Sequence, residues 1–157
     1  MIKEIKLTVN GEPREVAVKP GTLLAELLRN KLGMTGARMV CSSGACGTCT
    51  ILLDGKAVKS CSVLALQADG KEVTTIEGLA NNGQLHPLQK AFVEHNAFQC
   101  GFCTPGMILS AKALLDENPN PTDEEVKMSL VGNLCRCTGY TKIIEAIQVA
   151  ARELRGG

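Results

Sequence analysis

The chain has 157 residues, enough to bury a real core as one domain or two small ones without disulfide staples. Its 17 basic and 16 acidic side chains leave a net charge of +1, which excludes the basic excess of a nucleic-acid binder and leaves partners to be recognised by shape and local patches. The opening MIKEIKLTVNGEP alternates charged and apolar residues and reads as neither a signal peptide nor a membrane span, so a soluble cytoplasmic protein is expected.

The first half reads as a mixed sheet with one helix across it. IKEIKLTV and EPREVAV flank Asn10-Gly11, the preferred two-residue hairpin turn. GTLLAELLRNKLG follows as a helix, with Thr22 as N-cap and Gly33 as its stop. A second strand, turn and strand is built on Asp54-Gly55, and KEVTTIEGL supplies a further strand ending near Glu77. The turn-rich GLANNGQLHP then breaks the pattern. These signals set the expected domains at 1–77, a linker at 78–86, and a helical domain at 87–157.

Helices are predicted near 87–95, 105–117, 123–131 and 141–154, a small bundle. Thr104 reads as an N-cap with Pro105 at the first helical position, and Thr122 with Glu125 as a capping box. Met107 and Met128 have the spacing of core residues. His86 and His95 read as surface or capping residues, and Tyr140 as a structural edge.

The eight cysteines carry the chemistry. In a reducing compartment disulfides are disfavoured and metal ligation leads. Cys41, Cys46, Cys49 and Cys61 are spaced C-x4-C-x2-C-x11-C, the plant-type [2Fe–2S] pattern and not the two similar knuckles usual for zinc. Gly44 and Gly47 suit such a loop, since they reach positive φ and carry no Cβ to crowd the inorganic sulfides. Cys100, Cys103, Cys135 and Cys137 are spaced C-x2-C-x31-C-x-C. Each half of this second set precedes a predicted helix, whose N-terminal N–H groups favour an anionic centre. That field suits a four-thiolate zinc site as well as an iron–sulfur cluster. Arg136 either balances cluster charge or contacts a partner.

No G-x-G-x-x-G after a strand, phosphate loop, G-x-S-x-G or H-E-x-x-H is present, and one tyrosine, three phenylalanines and no tryptophan leave little for an aromatic substrate pocket. The pattern is that of an electron carrier.

CSSGACGTCTILLDGKAVKSC, LHPLQKAFVEHNAFQCGFCTPGMILSAKALL and GNLCRCTGY together resemble the small iron–sulfur subunit of molybdenum hydroxylases, the xanthine dehydrogenase family, over almost the whole chain. The resemblance implies an α+β architecture: an N-terminal β-grasp, plant-type ferredoxin-like domain with one [2Fe–2S] cluster on Cys41, Cys46, Cys49 and Cys61, and a C-terminal four-helix bundle domain with a second on Cys100, Cys103, Cys135 and Cys137. It implies a large molybdopterin-binding subunit as partner, with Gln99 and Cys137 at the pterin, and a medium FAD-binding subunit or another acceptor beyond the first cluster. A hetero-oligomer, such as a dimer of heterotrimers, is expected from it. For Gln99 an ordinary core role is the alternative, and for the whole chain a free-standing two-cluster ferredoxin or a zinc-stapled module. Relatives usually carry Gly then an acidic or polar residue after the first cysteine, where this chain has Ser42 and Ser43. Their hydroxyls are expected to raise that cluster's potential through hydrogen bonds to sulfur.

Overall fold

In the computed structural model, which describes residues 1–156, strands β1 (Lys3–Val9) and β2 (Glu12–Val18) form the predicted hairpin. Asn10 and Gly11 both take positive φ, 52° and 81°, as a type I′ turn requires. Asp54 and Gly55 do the same at 50° and 79° between β3 (Thr50–Leu53) and β4 (Lys56–Lys59). With β5 (Glu72–Thr74) these strands form one mixed sheet in the order β2-β1-β5-β3-β4, in which only the β1–β5 pair is parallel.

β5 is shorter than predicted. Asn10 at the hairpin turn accepts the Thr75 N–H through Oδ1 at 2.8 Å and donates from Nδ2 to Thr75 Oγ1 at 2.9 Å. With Thr75 occupied in this way the chain leaves the ladder, and Ile76–Gly78 tighten into a 3₁₀ turn.

The helix predicted in this half also differs from expectation. α1 spans Leu24–Glu26 and runs directly into a π-turn, Leu27–Lys31, closed by Leu32 N–H to Leu27 O. Its N-cap is Leu23, one residue later than predicted. Thr22 cannot serve because its carbonyl accepts from Ala65 N–H, while Leu24 N–H donates to Val63 O, so this stretch is stitched to residues 63–65. Gly33, at φ 70°, ends the turn as expected. Leu24, Leu27 and Leu28 pack onto Ile5, Leu7, Val9, Ile51 and Val73 from the sheet. Each large apolar side chain so buried contributes about 1.5–3 kcal/mol.

The second half is helical: α2 (Pro87–Glu94), α3 (Thr104–Glu117), α4 (Asp123–Ser129) and α5 (Thr141–Gly156). The capping box at Thr122 and Glu125 forms as predicted. α3 begins one residue earlier, with Cys103 as N-cap, Thr104 first and Pro105 second. Leu88, Phe92, Met107, Ile108, Val126, Leu130, Ile143 and Ile147 form its core. Met128 is not among them and stands 67% exposed. Val126 and Leu130 carry the buried side of α4, and Met128, two residues from each, lies about 200° round the helix from either. α3 packs on β3 and β4, so the helical half rests directly on the sheet. No described helix is long and apolar enough to cross a membrane.

Candidate metal centres

The eight cysteines are free thiols: Cys61 sits in the 3₁₀ turn Ser60–Ser62, and the other seven lie in loops outside the named helices and strands. Among the described residues no three His, Cys, Asp or Glu side chains gather as a site for one ion. The thiols meet in pairs. Cys100 and Cys137 lie with sulfurs 3.5 Å apart, Cys103 faces Cys135, and Cys49 faces Cys61. Two thiolates on each iron is what a binuclear cluster takes, so paired donors fit it.

The first loop is shaped by backbone conformation. Ser42, Gly44 and Gly47 have φ of 52°, 76° and 73°, and this winding turns the N–H groups of Ser43 and Cys46 toward Cys41 Sγ at 3.5 and 3.4 Å. Those two N–H groups, Ser43 first, hold the Cys41 thiol down at about 5, well below an ordinary cysteine. Cys49 and Cys61 lie on the inner side, buried against Ala25 of α1. Burial pushes Cys49 up to about 11.

Hydroxyls do approach the sulfurs, and not only the expected one: the Ser43 side chain adds to its N–H in lowering Cys41. Thr48 Oγ1 lies 3.3 Å from Cys46 Sγ and donates to Arg38 O at 2.9 Å, and Ser62 Oγ lies 3.7 Å from Cys61 Sγ. Gly44 and Gly47 take the positive φ expected of them, and the missing Cβ also matters to the chain's own packing. A Cβ on Gly47 would lie 2.3 Å from Gly132 O and 2.9 Å from Asn133 Cα, and one on Gly44 2.9 Å from Ser62 Oγ. Gly47 is therefore a close approach of the two halves.

In the second set, Thr138 donates its hydroxyl to Cys135 Sγ at 3.0 Å and its N–H at 3.4 Å. Burial raises the Cys135 thiol, but these bonds outweigh it and the net shift is downward. Burial, then the neighbouring Cys135, pushes Cys103 up to about 12. The N–H of Phe102 lowers Cys100, and the side chain of Cys100 raises Cys137. Tyr140, at φ 70°, accepts the Cys135 N–H on its hydroxyl at 2.8 Å and donates to Asn133 O at 3.3 Å. It is structural, as expected, with its strained backbone fixed by these two bonds. Thr104 is the reverse case: its buried hydroxyl has no hydrogen-bond partner among the described residues. A donor stranded beside Cys103 fits an added acceptor such as a cluster sulfur.

Asn133, which the sequence reading passed over, joins the two loops. It is 4% exposed. Its Nδ2 donates to Gly47 O and Thr50 Oγ1, both at 3.2 Å, and its Oδ1 accepts from Ser110 at 3.0 Å. Beside it, Leu134 N–H donates to Cys46 O at 2.8 Å. The outer rim differs in character: Gln99, Cys100, Arg136 and Cys137 are exposed, among exposed Phe98, Phe102 and Leu134. Gln99 is thus not a core residue.

Residues 7–80 match the 2Fe-2S iron-sulfur cluster binding domain family and residues 75–148 the [2Fe-2S] binding domain family. The chain is 51% identical to the nicotinate dehydrogenase small FeS subunit of Eubacterium barkeri, over 93% of each chain, and 46% identical to the xanthine dehydrogenase iron-sulfur-binding subunit of Escherichia coli O157:H7, over 91% of each. It belongs to the small iron–sulfur subunits of the molybdenum hydroxylases. The same fold occurs in quinoline 2-oxidoreductase from Pseudomonas putida 86, with a TM-score of 0.94 and 47% identity over 99% of this chain and 98% of that one. As a molybdenum hydroxylase iron–sulfur subunit, the chain carries two [2Fe–2S] clusters and transfers electrons within an oxidoreductase complex. The ferredoxin-like half and the helical half observed above are consistent with that family.

Proposed function

We propose that Cys41, Cys46, Cys49 and Cys61 hold one cluster and Cys100, Cys103, Cys135 and Cys137 the other, and that the chain relays single electrons between a molybdopterin site on a large subunit and an FAD-bearing medium subunit or another acceptor. When bound, each cluster takes up and releases one electron at a time. The observation that carries this reading is the Leu134 N–H to Cys46 O bond: it ties a residue next to Cys135 directly to a cysteine of the first set. Asn133 fixes the two loops around it, and Thr138, Ser43 and Cys46 offer donors to the sulfurs.

The finer architecture belongs to the same reading: a β-grasp domain over 1–77, a linker over 78–86 and a four-helix domain over 87–157. Gln99 and Cys137 are assigned to the pterin side. Their exposure, within a rim of exposed Phe98, Phe102 and Leu134, supports contact with a partner there. A hetero-oligomer, such as a dimer of heterotrimers, belongs to the same reading.

Isolation of the tagged chain from its own cells tests the assignment. A stoichiometric larger subunit with bound molybdenum, accompanied by flavin, is the expected result. A redox-active chain that purifies alone would favour the free-standing ferredoxin.

A further inference from the structure

We propose that Arg38 is a positioning residue for the second cluster, holding one fixed positive charge against the Cys100–Cys103 loop and so raising the reduction potential there. Arg38 belongs to the other half of the chain, yet its Nη1 donates to the carbonyl of Gly101 at 2.7 Å, between the two cysteines. Its guanidinium carbon lies 4.9 Å from the Phe102 ring centroid, within cation–π range. The root of the side chain is held as firmly. Arg38 N–H donates to Thr48 O at 3.2 Å, and Thr48 returns its hydroxyl to Arg38 O at 2.9 Å. Among the described residues no carboxylate lies within ion-pair distance of Arg38, so its charge is not neutralised locally.

Adding an electron makes a cluster more negative, and a nearby cation favours that form. Arg136 is nearer in sequence to two of the cysteines but is exposed, where water and salt screen it. Arg38 is half-buried and fixed at both ends, so its charge is held in one position beside the Cys100–Cys103 loop.

The inference rests on the assignment of the second cluster to Cys100, Cys103, Cys135 and Cys137. Redox titration of the full chain carrying both clusters, with the two reduced signals followed separately by EPR, tests both. Cys103→Ser should perturb one signal and thereby mark the second cluster; if it alters neither, the assignment fails and the role of Arg38 fails with it. On the marked signal, Arg38→Met should lower the reduced-to-oxidised ratio at fixed ambient potential roughly three- to tenfold, tenfold being about 59 mV for one electron. The other signal should shift less. Arg38→Lys keeps the charge but loses the planar fork and stacking, and should retain most of the potential. An unshifted marked signal in Arg38→Met, an equal shift of both clusters, or a shift in Arg38→Lys as large as in Arg38→Met would overturn the proposal.

Discussion

Thr138 gives Cys135 Sγ both its hydroxyl and its N–H. Donation into a ligand sulfur stabilises the reduced cluster. Thr138→Val keeps the shape and the N–H but removes the O–H, so it should lower the potential of the second cluster and leave the first unchanged in a redox titration. A potential equal to that of the parent would show that this hydroxyl does not tune the centre. The cysteine sets and their glycines were legible because the spacing C-x4-C-x2-C states how a loop must wrap. The donors to the sulfurs were not. Ser42 and Ser43 stand out as a departure from the family's loop, but the φ of 52° at Ser42 helps bring the backbone N–H groups of Ser43 and Cys46 to Cys41, with the Ser43 side chain a lesser contribution. Nothing local to the sequence marks Thr138 as a donor to Cys135 Sγ, since which hydroxyl reaches a sulfur is decided by the fold of the loop.

Helix ends show the same division between local and distant causes. α2 opens on His86, whose Nδ1 accepts the Leu88 N–H at 3.2 Å while Gln89 returns its side chain to the His86 N–H at 3.0 Å. Only neutral imidazole can accept this bond. Burial lowers the His86 pKa below 6.5, Lys112 on α3 lowers it further, and Asp116 opposes them. A depressed folded-state value means that the unfolded chain binds the proton more tightly. The contribution to stability is therefore complete above about pH 6.5 and is lost as pH falls through the folded value. Urea midpoints should drop between about pH 8 and 5.5, and His86→Asn, which keeps a cap without a titrating group, should flatten that drop. An undiminished slope in His86→Asn would assign the effect to other groups. The capping box at Thr122 and the proline after Thr104 made α3 and α4 readable to within a residue or two. α1 was misread because Thr22 and Leu24 spend their backbone groups on residues 63 and 65, a contact with no local signature.

At the scale of the whole molecule, the two halves meet backbone to backbone where the cluster loops touch. A Cβ on Gly106, at the start of α3, would lie 2.4 Å from Gly47 O, and backbone there can yield only by moving the loops apart. Gly106→Ala should cost about 1–3 kcal/mol of stability as an overpacked contact, read as a lower urea midpoint. It should also weaken the magnetic interaction between the two reduced clusters, since dipolar coupling falls steeply with distance. A variant as stable as the parent with unchanged coupling would show that the junction is not close-packed. Two four-cysteine sets were legible in the sequence, and so was their division between a sheet half and a helical half. Their juxtaposition was not, because it depends on Asn133 reaching Gly47 and Arg38 reaching Gly101 across 86 and 63 residues. The central claim, two binuclear clusters joined at one junction, is tested most directly by metal and acid-labile sulfide analysis of the purified chain, combined with EPR after reduction. The expected result is about four irons and four sulfides per chain, in two spectroscopically distinct signals. Zinc without labile sulfide, or a single signal with half that iron, would contradict it.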